Sequence, residues 1–229
     1  MALNYLNTIR QFTEKCEFCF ETQPPVTHRA PTKDELAKLA HQEWMPEQLL
    51  AFCNLFNGAL YAWQSKPESA GRPCRGKLHL QRLQDVYADW EGTVYFANRL
   101  EADGPRLRDF KVLDFFADEA GVGFYHDAAQ DRELYLYVFQ EYGPLPLGVD
   151  FDGYLQLLSH SLAHSHWPYL LAELAEHFAT RPAQPFPGPH TPNARIFVDD
   201  MSSQTDFSLA EFVALYEQVR LPHQDSAAA

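Results

Sequence analysis

Residues 49 to 64, LLAFCNLFNGALYAWQ, constrain the fold more than any other stretch of the chain. Apolar residues recur at helical spacing up to Phe56, the pattern breaks at Asn57-Gly58, and the chain resumes with a period of two. Pro46 suits a first helical turn, because its φ is preset and the amide it lacks would have no intrahelical partner there. The expected helix runs over 46–56 with Leu49, Leu50, Cys53 and Phe56 inward. Asn and Gly tolerate the left-handed backbone that leaves a helix sharply. Beyond them, Leu60 and Ala62 should face one side of a strand, and Tyr61 and Trp63 the other. A helix that reverses directly into an aromatic strand calls for that helix to pack against a sheet.

Further strands are expected in KLHLQ and TVYFANRL, and more clearly in FKVLDFFA (110–117), GVGFYHD (121–127) and ELYLYVFQ (133–140). The last three are separated by short polar turns and read as an antiparallel or mixed meander. In the last, Leu134, Leu136 and Val138 oppose Tyr135, Tyr137 and Phe139, so neither face is strongly polar, and a central strand with helices over at least one face is expected. GVG at 121–123 is read as a hairpin turn, since no helix follows to aim its amides at a phosphate. Helices are expected at the N-terminus, with Leu3, Leu6, Ile9 and Phe12 as its stripe, and after Pro31, where Thr32 and Glu35 form a capping box. Another follows Asp150 or Asp152 with Tyr154, Leu155, Leu158 and Leu162 inward, restarts at Pro168 and reaches about residue 179.

Five prolines between 182 and 192 read as an extended linker. The domain reading is therefore 1–180 as an α+β domain, 181–193 as linker, 194–222 as an extension packed back on it, and 223–229 as a frayed tail. Within the extension ARIFVDD reads as a short strand, and Ser208 with Glu211 as the capping box of a final helix.

The chain of 229 residues carries 18 Lys+Arg against 31 Asp+Glu, a net charge of -13. That sign opposes binding to nucleic acid, whose non-specific affinity comes from neutralising phosphates. It favours a basic protein partner, and it also serves plain solubility. No basic segment followed by an apolar run opens the sequence, and no stretch approaches the ~18 apolar residues of a membrane span. A soluble cytoplasmic protein without membrane association is expected, with its four cysteines as reduced thiols.

Candidate chemistry is sparse. His160 and His164 stand at i and i+4, the helical spacing at which two imidazoles can share a metal ion, and Glu173 is the nearest carboxylate for a metal-assisted hydrolase. There is no HExxH, however, and a half-exposed polar face is the preferred reading of the histidines. Cys16-x-x-Cys19 follows a helix and lacks the second pair of a zinc site, while Cys53 and Cys74 stand singly. Asp199-Asp200 and Asp150-x-Asp152 read as capping and solvated carboxylates. No catalytic residue, metal ligand or cofactor is assigned on this reading.

A proline-led helix ending in NLFNGALYAW, then a meander and DFDGYLQLL, resembles the SUKH superfamily, which includes a fungal cell-wall-synthesis regulator and many bacterial toxin-immunity proteins. Pro46, Phe52, Asn57, Gly58, Trp63, Phe151, Tyr154 and Leu155 occupy the matching places, and the likeness covers roughly residues 31 to 165. The chain departs from it in its 64–110 insertion, its histidine-rich helix extension and its C-terminal addition. The resemblance implies an α+β fold without chemistry of its own that binds and blocks a cognate toxin, often a nuclease or deaminase. That family diverges at its partner surface, so no binding residue carries over. From exposure and charge alone, the partner-binding candidates are Asp89, Trp90, Glu91, Asp118, Glu119 and Asp131. A regulatory scaffold that self-associates through the C-terminal extension is the remaining alternative.

Overall fold

The computed structural model describes residues 4–39, 46–66, 72–97, 105–126, 132–139 and 143–222. Among them are eight helices: α1 (Tyr5–Cys19), α2 (Lys33–Leu39), α3 (Glu47–Cys53), α4 (Leu83–Val86), α5 (Phe151–Ser161), α6 (Trp167–Thr180), α7 (Pro192–Gln204) and α8 (Leu209–Val219). The strands are β1 (Glu21–Thr22), β2 (Val26–Thr27), β3 (Ala59–Gln64), β4 (Arg75–Leu80), β5 (Phe110–Ala117), β6 (Ala120–Tyr125), β7 (Tyr135–Val138) and β8 (Leu145–Pro146). They form one antiparallel sheet ordered β1-β3-β4-β5-β6-β7-β8, with β2 beside β1 on the edge of β3. The fold is α+β; β5 to β7 form the expected meander, and β8 extends it by one short strand.

The helix-to-strand switch has a physical reason. The helix stops at Cys53, three residues before the expected end, and two turn residues carry the chain to Asn57. Gly58 has φ +90, and a Cβ there would sit 2.9 Å from the Leu80 carbonyl oxygen. The buried Asn57 side chain accepts from the Leu83 amide at 2.9 Å, so the reversal also anchors α4. As expected, Tyr61 and Trp63 are buried while Leu60 and Ala62 are half-buried.

The helices pack on one sheet face, where the main core joins Leu113, Phe116, Leu134 and Leu136 of the sheet region to Phe12, Tyr154, Trp167 and Phe197. The other face carries a second core of Val94, Tyr95, Leu107, Phe110, Val112, Tyr137 and Phe139. This explains the two apolar faces around β7: helices cover one, and the segment after α4 covers the other.

Several expectations need correction. ARIFVDD lies in α7, a helix and not a strand, because Thr191 caps it, Pro192 fits its first turn, and Ala194, Phe197 and Met201 recur at helical spacing into the core. TVYFANRL is no strand within its described part, residues 93–97: Val94 and Tyr95 sit in a turn closed by an isolated Glu91–Tyr95 bridge. GVG is strand β6, not a turn. Gly123 is required because a Cβ would overlap the Lys111 carbonyl oxygen, and the turn falls instead at Asp118–Glu119. In α1 the buried stripe is Tyr5, Thr8, Phe12 and Cys16, while Leu6 is 55% exposed; Leu3 lies outside the described residues. Cys16 and Cys19 form the end of α1 and do not follow it.

The capping box at Thr32 is reciprocal: the Glu35 amide donates to Thr32 Oγ1 at 3.2 Å, and the Thr32 amide to Glu35 Oε2 at 2.7 Å. The proline-rich stretch is tied down, since the amides of His190 and Thr191 both donate to the Glu173 carboxylate of α6. The last two helices share the main core through Phe197, Phe212 and Tyr216. No helix among the described residues is long and apolar enough to cross a membrane.

Candidate functional site

The sheet is continuous by hydrogen bonding, yet it splays between two central strands. β3 and β4 pair along six residues, whereas β4 meets β5 at Leu80–Asp114 alone. Past that point the Asp114 side chain stands in for a strand, accepting from the His79 amide at 2.8 Å. Lower down, the turn after α5 fills the gap: the Lys77 amide donates to the Ala163 carbonyl at 2.9 Å, and the Ser165 amide to the Arg75 carbonyl at 3.1 Å.

That turn is strained. Leu162 and Ala163, both fully buried, have φ of 50 and 53, a left-handed conformation that side chains other than glycine rarely adopt. Residues held in this way persist where their surroundings over-determine them. Here the Leu162 carbonyl accepts from the Trp63 indole at 2.5 Å, and Ala163 is held on β4. The same turn ends α5 at Ser161, so His160 and His164 do not share a helix and the expected i, i+4 pair is lost.

His164 instead points at α7. Its Nε2 is 3.2 Å from Oδ2 of Asp200, while Arg72 donates to both oxygens of Asp200 at 3.1 and 3.0 Å. Cys74 completes the group, with its sulfur, a His164 ring nitrogen and an Asp200 oxygen all within 4.8 Å of one another. All three residues are buried. Burial pushes the His164 imidazole down to about 4, outweighing the pull of the Asp200 carboxylate, and pushes the Cys74 thiol up to about 11. The short His164–Asp200 contact is therefore a hydrogen bond from a neutral ring and not an ion pair at neutral pH. The His166 amide donates to His164 Nδ1 at 3.2 Å, which puts the ring proton on Nε2, facing Asp200. Neither ring nitrogen is left with a free lone pair for the Cys74 thiol, so this trio is not arranged as a nucleophile and its base.

The cluster lies in an open groove along the splay. Arg75, Gly76 and Lys77 line one side, Phe116 to Glu119 another, and His166 and Tyr169 the helical end. Asp118 and Glu119, two of the partner-binding candidates, are both exposed in this groove. The other candidates are elsewhere. Asp89 accepts from the Tyr95 hydroxyl at 2.5 Å and from the Glu91 amide, and Trp90 donates to the Val86 carbonyl and stacks on Phe115. Asp89 and Trp90 thus serve the second core, Glu91 is exposed beside them, and Asp131 lies outside the described residues.

His160, His164 and Glu173 do not form a metal-ligating group among the described residues. The Glu173 carboxylate is instead occupied by His190 and Thr191. Cys74 and Asp200 escaped sequence reasoning because they lie 90 and 36 positions from His164, with no spacing rule to join them. The one available signal was Asp200 itself, three residues after Phe197 in a pattern that reads equally as a helix.

No protein-family model, no curated protein and no solved structure matches the chain.

Proposed function

We propose that this chain is a non-enzymatic protein-binding module, of the immunity type that binds and blocks a toxin with a basic surface. The observation that carries the reading is the open groove along the β4–β5 splay, where the exposed carboxylates of Asp118 and Glu119 share the lining with Arg72, Arg75 and Lys77, so that both signs of charge are offered to a protein segment. An open channel beside strand ends suits an extended protein segment, whose main chain and side chains can both be read. The net charge of -13 would speed the approach of a basic partner by long-range attraction.

The test is co-expression with the products of genes that neighbour this one in its source genome. The reading expects one of them to arrest growth, and this chain to restore growth by forming a stable complex with it. Neighbouring products that are neither toxic nor bound would remove the immunity reading, and turnover of a substrate by the chain alone would remove the non-enzymatic one.

A further inference from the structure

The geometry points to Cys74, His164 and Asp200 as a binding site for one zinc-class transition-metal ion. This inference is independent of the protein-binding reading. The donor set decides the class: a thiolate and an imidazole select a borderline-soft ion, whereas calcium and magnesium seek oxygen ligands throughout. Zinc sits at about 2.3 Å from sulfur and about 2.0 to 2.2 Å from nitrogen or oxygen, so tetrahedral ligand atoms stand about 3.5 Å apart. The three donor atoms already lie within 4.8 Å of one another, and small inward rotations close the site.

Three further features fit. The ligands come from segments far apart in sequence, the residues before β4, the turn after α5, and α7, so an ion would fasten the C-terminal helices to the sheet. Backbone hydrogen bonds pin the left-handed turn that aims His164, which preorganises the site in the way a metal ligand needs. Asp200 can offer one oxygen to the ion and keep Arg72 on the other, the outer contact that orients ligating carboxylates.

The charges and protons balance. A divalent ion is neutralised by one thiolate and one carboxylate, and the remaining positive charge is that of Arg72, whose side chain is 55% exposed to solvent. Cys74 gives up its proton to solvent. The neutral His164 ring keeps one proton, which moves from Nε2 to Nδ1, and the His166 amide exchanges its contact with Nδ1 for water in the groove. One proton is released per ion. The fourth position faces the groove and is filled by water.

Cobalt(II), added to the full chain after chelator treatment, is the probe. One equivalent should bind with a near-ultraviolet thiolate-to-cobalt band and the visible bands of a tetrahedral site, and zinc should displace it. Cys74→Ser should abolish the near-ultraviolet band, Asp200→Asn should weaken binding at least tenfold, and Cys16→Ser should change neither. Absence of stoichiometric binding by the unaltered chain overturns the inference. So does a thiolate band that survives in folded Cys74→Ser protein, which would place the ion on another cysteine. Should Cys74→Ser not fold, unweakened binding by Asp200→Asn is the overturning result.

Discussion

Gly76 lies flat against the indole of Trp63, so close that a Cβ at residue 76 would overlap the ring. The contact fixes the lower end of the splay. Trp63 is stacked on Phe20 with ring centroids 3.8 Å apart and donates to the Leu162 carbonyl, so the ring has nowhere to move.

Gly76→Ala should therefore cost about 1 to 3 kcal/mol, the range of overpacking in a filled core. Urea unfolding measures it. Trp63→Phe removes the indole hydrogen bond and should cost at least about 1 kcal/mol. A Gly76→Ala protein as stable as the parent would mean that β3 and β4 do not approach in this way.

Stability against pH should show two opposed contributions. The His164 pKa is lowered to about 4 from 6.5, so the unfolded chain binds the extra proton between those values and stability falls as pH falls through that window. Asp114, fully buried beside Tyr154, is raised to about 6 from 3.8 by burial. Here the folded chain binds the extra proton, so stability falls as pH rises from about 3.8 through about 6. Each is worth about 3 kcal/mol at most. His79, His160 and His166 are also pushed down by burial and add to the His164 direction. In Asp114→Asn the amide oxygen can still accept from the His79 amide and the amide nitrogen can donate to the Tyr154 hydroxyl. That variant should lose stability more steeply than the parent between pH 6 and about 4, as read by urea midpoints. A parallel pH profile would place Asp114 outside the titration.

The C-terminal helices should unfold together with the sheet. The buried Tyr216 hydroxyl of α8 donates to the Leu147 carbonyl at 3.1 Å, against Gly148, whose φ is +67. Tyr216→Phe should cost about 1 kcal/mol and leave one transition. Tyr216→Ala should cost about 3 to 5 kcal/mol and still give one transition, by near- and far-ultraviolet circular dichroism alike. Two separate transitions would make 194–222 an independent appendage.

The sequence made local features legible and left distant meetings hidden. The switch at Asn57-Gly58, the Thr32–Glu35 box and strand 110–117 follow from short-range rules, and each stands where periodicity or capping chemistry puts it. ARIFVDD was ambiguous because Ile, Phe and Val favour strands, while the deciding partners, Thr191 before it and the buried core around Phe197, lie partly outside the window. The histidine pair failed at Leu162 and Ala163, neither of which is a glycine that would announce a left-handed turn. The splay is a tertiary event, set by one pairing at Leu80–Asp114 and filled by residues some 85 positions further on.

Charge at the groove rim should govern association more than dissociation. If the proposed toxin is the partner, replacing Asp118 and Glu119 together by lysine should slow binding to it about tenfold or more at low salt, with a smaller difference at high salt. Stopped-flow or surface-based kinetics across ionic strength measure this. Replacing Asp89 and Glu91 together by lysine makes the same change of charge outside the groove and should have a smaller effect on that rate. Equal effects at both places would mean that only net charge matters.

Hydrogen exchange on the chain alone and saturated with the partner that the co-expression test identifies tests the groove reading most directly. New protection should appear in 116–119 and 164–166, both of which line the groove. Protection confined to the Asp89–Glu91 corner or to α8, with the groove amides unchanged, would contradict it.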